Sequence, residues 1–149
     1  MGEMGMSKAI KSEPYQVIWL IRRLFRALSQ KSNESLGGFG ISAADRAVME
    51  FLYPDKMLSV PEIAEQYKVS RQHVQSTVNS LTAAALVIAR ENPKHKRSPL
   101  MMLNSKGRKL FETVLKKDEE VIEILFSYIS QSNIQVTQQT LQSLLNKLS

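Results

Sequence analysis

Between Ser70 and Asn79 the chain reads Ser70-Arg71-Gln72-His73-Val74-Gln75-Ser76-Thr77-Val78-Asn79, a run rich in amides and hydroxyls and free of acids. Set on a helix at about 100° per residue, Val74, Val78, Leu81 and Ala85 fall on one side and Gln72, Gln75, Ser76 and Asn79 on the other. Amides and a hydroxyl without a carboxylate suit hydrogen bonding to base edges in a major groove. A merely solvated helix more usually carries lysine and glutamate there. Arg71, Gln72, Gln75, Ser76 and Asn79 are therefore the base-reading candidates. Ser70 suits either the same work or the cap of the helix. His73, at the flank, suits either a phosphate contact or cover for the edge of the core.

A second cluster lies at Glu91-Asn92-Pro93-Lys94-His95-Lys96-Arg97. Lys94, His95, Lys96 and Arg97 join the candidate set, and Lys106 and Arg108 add further cations suited to phosphate contacts. From Lys68 to Lys109 there are nine bases and one acid, Glu91, a local charge of +8 in a chain of net +6, so the remainder carries −2. Segregation of this kind is the footprint of polyanion binding.

Other chemistries lack their parts. The 149 residues contain no cysteine, which removes disulfides, thiol redox sensing and cysteine-ligated zinc. Two histidines without evident acid partners and no glycine-rich phosphate loop argue against an enzyme, a metal site or a bound cofactor. No stretch is apolar enough for a membrane span, and the polar start shows no secretory signal, so the expected compartment is the cytoplasm.

The elements that must position these residues are read in chain order. Residues 1–14 form an expected flexible tail ending at Pro14. Residues 15–40 hold an amphipathic helix, with Val17, Leu20, Ile21, Leu24, Phe25 and Leu28 at helical spacing, closed by Gly37-Gly38-Phe39-Gly40. Trp19 and Phe25 read as core or interface packing. Ser42 with Asp45, and Ser59 with Glu62, are capping-box signatures of two helices, the second burying Ile63, Ala64 and Tyr67. Tyr67-Lys68-Val69 is the turn into the amide-lined helix, which makes a helix-turn-helix. Leu86 to Arg90 and Ser98 to Leu103 pair as a two-stranded hairpin whose tip is the basic turn, with Pro99 tolerated on an edge. Residues 41–104 are thus a winged helix-turn-helix.

Residues 105–149 hold helices capped by Asn104 or Ser105 and by Thr137. Leu110, Phe111, Val114, Leu115, Val121, Ile122, Leu125, Phe126 and Ile129 form one stripe. Asp118 interrupts it, leaving a bend or a polar contact open. One winged helix cannot bury both this stripe and that of residues 17–28, whereas two chains can. The expected fold class is mainly α: a winged helix-turn-helix with a small β-hairpin wing, plus N- and C-terminal helices that form a dimerisation domain.

The chain resembles the MarR family of winged-helix transcriptional regulators over roughly residues 17–130. The resemblance is carried by Ser59-Val60-Pro61-Glu62-Ile63-Ala64, Val69-Ser70-Arg71-Gln72-His73-Val74, and Leu81 with Leu86-Val87. It continues through Asn92-Pro93-Lys94-His95-Lys96-Arg97-Ser98 and Leu103-Asn104-Ser105-Lys106-Gly107-Arg108. It implies a homodimeric repressor on a pseudo-palindromic double-stranded operator, with Arg97 in the minor groove and a small, often aromatic, acid releasing the DNA. Arg22, Arg23 and Arg26 lie near where the family's ligand crevice begins, suited either to a ligand carboxylate or to solvent. His95 stands where many members carry an acid that braces the wing arginine. Ala85 stands where the family commonly has glycine, which points to a different exit from the helix. Two alternatives remain open on the residues alone: a winged helix used for protein contact, whose discriminator is the +8 segment, and a DNA-binding protein with no effector.

Overall fold

The computed structural model describes residues 9–149, and the reading of residues 1–8 as tail lies outside them. The chain divides into two compact units, one ending at Phe111 and the other spanning Glu112–Ser149. The first unit holds helix α1 (Glu13–Leu36), a short 3-10 turn (Gly37–Phe39), α2 (Ala43–Leu52), strand β1 (Leu58–Ser59), α3 (Val60–Tyr67), α4 (Arg71–Ala83), β2 (Val87–Arg90) and β3 (Leu100–Leu103). Helix α5 (Ser105–Phe126) crosses the division, and α6 (Gln131–Leu148) ends the chain.

The starts of these helices are set by their caps. Ser12 accepts from the Tyr15 amide and opens α1, so the helix begins at Glu13 with Pro14 in its first turn. Ser42 with Asp45, and Ser59 with Glu62, form full capping boxes, each pair satisfying two amides that the helix cannot. Ser70 accepts from the His73 amide at 3.0 Å, so its role in the free protein is the cap of α4. Lys68 ends α3 in the left-handed region (φ 61°), which makes the tight turn between the two helices.

The core is built from one face of each element: Val48, Met49 and Leu52 of α2, Ile63 and Ala64 of α3, Val74, Val78 and Leu81 of α4, and Leu86, Val87, Met101 and Leu103 around the sheet. Phe111 closes it, its ring 5.1 Å from that of Tyr53. The 3.6-residue period of α4 therefore buries its valines and leucine and leaves Gln72, Gln75, Ser76 and Asn79 exposed.

Several expectations need correction. The sheet has three strands, not two: β1 joins in the order β1-β3-β2, pairing Leu58 with Met101 and Ser59 with Leu100. β3 is consequently central, and Pro99 is tolerated because it precedes the ladder. Tyr67 is 38% exposed, its ring set edge-on against Phe51. Thr137 is inside α6 and donates to the Asn133 carbonyl; Ser130 is the cap, accepting from the Asn133 amide. α5 runs unbroken through residues 116–120, with Asp118 half-buried.

The exit from α4 also differs from expectation. Ala85 is not excluded from the left-handed conformation but adopts it, at φ 57°. The Leu86 amide donates to the Leu81 carbonyl and the Ala85 amide to the Thr82 carbonyl, which is a Schellman closure made without glycine. Asn104 secures this turn: its amide donates to the Leu86 carbonyl at 3.1 Å and its side-chain nitrogen to the Ala85 carbonyl at 2.7 Å. Its side-chain oxygen accepts from the Gly107 amide at 2.8 Å, so Asn104, not Ser105, caps α5. Gly107 must lack a side chain, because a Cβ there would enter the Leu86 carbonyl.

Ala85→Gly should therefore raise stability by about 1 kcal/mol, since a side chain in the left-handed region costs roughly that much. Gly107→Ala should lower it by about 2 kcal/mol or more, because backbone must move. Denaturant midpoints of the two variants check both signs.

Candidate nucleic-acid interface

The interface is assembled from α4 and from the turn between β2 and β3. Arg71, Gln72 and Gln75 of α4 and Arg97 and Ser98 of the turn line one groove of about 340 Å³, floored by Val60, Pro61, Pro99 and Met101. Arg71 also lines the neighbouring groove, together with Lys94 and His95. The fold thus brings Arg71, Gln72, Gln75, Lys94, His95 and Arg97 to adjoining surfaces. Lys96 lines a separate face of the wing, with Arg90 and Glu91. Ser76 and Asn79 stay exposed on α4 without lining these grooves.

The wing turn is organised by a residue that charge patterning passes over. Asn92 donates from its side chain to the Ser98 carbonyl at 2.9 Å and accepts from the Lys94 amide at 3.1 Å, while its carbonyl accepts from the His95 amide. Ser98 in turn donates its amide to the His95 carbonyl. The cations Lys94, Lys96 and Arg97 are carried on this frame, exposed, with no ion pair to a carboxylate among the described residues. The Asn-Pro pair at 92–93 was the available signal, since asparagine favours such side-chain-to-backbone turns. With His95 in place of an acid, no carboxylate braces Arg97 among the described residues.

On α4 the Gln75 side-chain nitrogen donates to the Asn79 side-chain oxygen at 2.9 Å. Lys106, one of the phosphate candidates, donates to the Ala84 carbonyl at 3.2 Å, at the C-cap of the same helix. His73 resolves onto the other flank, where it lines a crevice of about 770 Å³ formed by α1, α2, α3 and the start of α4. Phe25, Phe51 and Tyr67 supply its aromatic walls, and Arg46, Lys56 and His73 its basic groups. Arg46 is paired with Glu50 at 2.9 Å. Arg22, Arg23 and Arg26 do not line it; the α1 wall is Phe25, Leu28, Ser29 and Ser32, and Arg23 sits 6.0 Å from the Trp19 ring.

Chemically, the arrangement is a row of exposed amides flanked by exposed cations: donors for anionic oxygens beside donor–acceptor edges. No group of acids and histidines able to hold a metal ion occurs among the described residues, and no described helix is long and apolar enough to cross a membrane.

The MarR family profile matches residues 39–98, from the end of the 3-10 turn to the wing. Over that stretch the chain is similar to the MarR family. Uncharacterised proteins of Mycobacterium tuberculosis and Mycobacterium bovis are 31% identical over 91 residues, 61% of this chain and 64% of theirs, so the match spans less than two thirds of those relatives. Among solved structures, the transcriptional regulator BldR of Sulfolobus solfataricus superposes with a TM-score of 0.82 at 19% identity, covering 91% of this chain and 96% of that one. A MarR/EmrR family transcriptional regulator from Acinetobacter sp. ADP1 gives 0.80 at 20%, covering 92% and 97%. MepR of S. aureus, solved in complex with DNA, gives 0.77 at 21%, covering 88% and 96%. At these identities the likeness is one of fold.

Asn92→Ala should leave the unfolding midpoint nearly unchanged while tryptic cleavage after Lys94, Lys96 and Arg97 becomes faster, because the loss is local to the wing. Limited proteolysis of the two proteins side by side checks it.

Proposed function

We propose that this chain is a sequence-specific regulator of transcription that binds double-stranded DNA as a homodimer, represses from a pseudo-palindromic operator, and acts in the cytoplasm. The observation that carries this reading is the convergence of Arg71, Gln72, Gln75 and Arg97 on one groove, with Lys94 and His95 beside it. Ser70 caps the helix that enters the major groove, and Arg71, Gln72, His73, Gln75, Ser76 and Asn79 lie on it; Lys94, His95, Lys96 and Arg97 form the wing against the adjacent backbone and minor groove. A module for protein contact has no use for the local charge of +8.

Dimerisation rests on apolar faces that each unit leaves open. On α1, Trp19 is 45% exposed, Leu24 58% and Phe25 63%. In the second unit, Ile124, Leu125, Leu141 and Leu145 are exposed as well. Apolar surface on this scale marks an interface. Residues 15–40 and 105–149 supply it, and a second copy of the chain covers it.

The crevice lined by Phe25, Phe51, Tyr67, Arg46, Lys56 and His73 suits a small aromatic acid, being of ligand size and offering rings and cations together. His73 belongs both to this crevice and to the DNA-reading helix, so a ligand bound there favours one placement of α4 over another. A ligand releases DNA only to the extent that it binds the DNA-incompatible arrangement better.

Arg97→Ala should weaken binding to every duplex and reduce the slope of log affinity against log salt by about one unit. Fluorescence anisotropy on a retained genomic fragment, across a salt series, measures this; an unchanged slope removes Arg97 from the interface. Leu24→Glu should shift the protein from dimer to monomer in sedimentation, and a dimer unaffected by that charge would place the interface elsewhere. Titration of the DNA complex with a panel of aromatic acids should release DNA with at least one, and release by none would leave the crevice without this role.

A further inference from the structure

The hydrogen bond between Gln75 and Asn79 has a consequence for which base α4 reads. Both side chains are exposed on the face of α4 opposite Val74, Val78 and Leu81. A free glutamine side chain on a helix rotates its amide, offering donor or acceptor to either neighbour, and so discriminates poorly. Here the Gln75 side-chain nitrogen is committed to the Asn79 oxygen at 2.9 Å. The same pairing at the same spacing, Gln142 to Asn146 at 2.9 Å, recurs on α6. It is therefore a property of the four-residue spacing on a helix, formed without any nucleic acid.

We infer that Gln75 reads an adenine in each half-site and that Asn79 is the residue that positions its amide to do so. We take the Nε2 hydrogen held by Asn79 to be the one anti to Oε1, which leaves the syn hydrogen next to that oxygen. What remains to face outward is one acceptor, Oε1, beside one donor, the second Nε2 hydrogen. Adenine in the major groove offers the complementary pair, the N6 amino donor and the N7 acceptor. Guanine presents two acceptors there and cytosine a lone amino donor, so neither matches both atoms. The side chain is set before DNA arrives, and the entropy of fixing it is already spent in the free protein. This inference rests on the DNA-binding reading above and adds to it the base and the residue that sets the choice.

The test is selection of duplexes from a randomised library by the full chain and by four variants, with affinities then measured for each base at the selected position. The wild type should prefer adenine at one position per half-site by roughly tenfold, the scale of one good bidentate contact. Gln75→Ala and Asn79→Ala should each reduce that preference to about one. Asn79→Asp keeps the acceptor that holds the Gln75 nitrogen, so it should keep the adenine preference even where its charge lowers affinity overall. Gln75→Glu, which only accepts, should move the preference to cytosine. The exposed positions leave the fold intact, and unchanged melting of all four variants verifies that. An adenine preference undiminished in Asn79→Ala, or lost equally in Asn79→Asp, overturns the positioning role. Selected sites whose bases are indifferent to position 75 overturn the whole inference while leaving DNA binding standing. Retention of no duplex sequence at all overturns the DNA-binding reading itself.

Discussion

The geometry of this winged helix depends on one junction: the Leu86 carbonyl, at the end of the amide-lined helix, held by Asn104 and pressed against Gly107. Ala85 turns the chain in the left-handed region. Asn104 then ties that turn to the start of α5 through three hydrogen bonds, from its own amide and side-chain nitrogen to residues 86 and 85 and from Gly107 to its oxygen. β3 arrives at the same point through the pairing of Leu103 with Val87. The direction in which the wing leaves α4 is thus fixed by backbone groups, and with it the angle between Gln75 and Arg97. Backbone hydrogen bonds of this kind are costly to leave unmade, which makes the junction stiff.

Stiffness there contrasts with the surfaces it serves. Arg97, Lys94 and Lys96 are exposed side chains on a short turn, restrained chiefly by Asn92, and their cations have no acid to neutralise them among the described residues. Such a surface is poorly stabilised by its own contacts and is electrostatically suited to a polyanion. On the opposite flank of α4, His73 opens onto a crevice with aromatic walls. The helix proposed to read bases is therefore anchored rigidly at its C-terminal end and borders a ligand-sized space near its N-terminal end, where a small displacement would move Arg71 and Gln72 most.

Much of the fold was legible in the residues. Ser42 with Asp45 and Ser59 with Glu62 fix two helix starts because a capping box is a local, self-sufficient pattern. The period of Val74, Val78 and Leu81 marked the buried face of α4, and with it the exposed amides. The misses share a cause: they depend on contacts between distant segments or on choices between equivalent local patterns. β1 is two residues long, too short to alternate, and exists only because β3 pairs with it. Ala85 carries a left-handed turn that composition assigns to glycine, because Asn104, nineteen residues on, holds its carbonyl. Ser130 and Thr137 are both suitable caps by type, and only the Asn133 amide at 3.2 Å from Ser130 separates them. Of the site, the residue types were legible and the pairings were not: no pattern announced that Gln75 would hold Asn79, that Asn92 would frame the wing, or that Lys106 would turn to Ala84.

In the proposed complex two copies of α4 and its wing meet one duplex together. Hydroxyl-radical footprinting of the full chain on a genomic fragment it retains tests that most directly. The expected result is a pair of protected patches on each strand, symmetric about a pseudo-dyad and centred about one helical turn apart. A single asymmetric patch, or uniform cleavage at low salt, would contradict it.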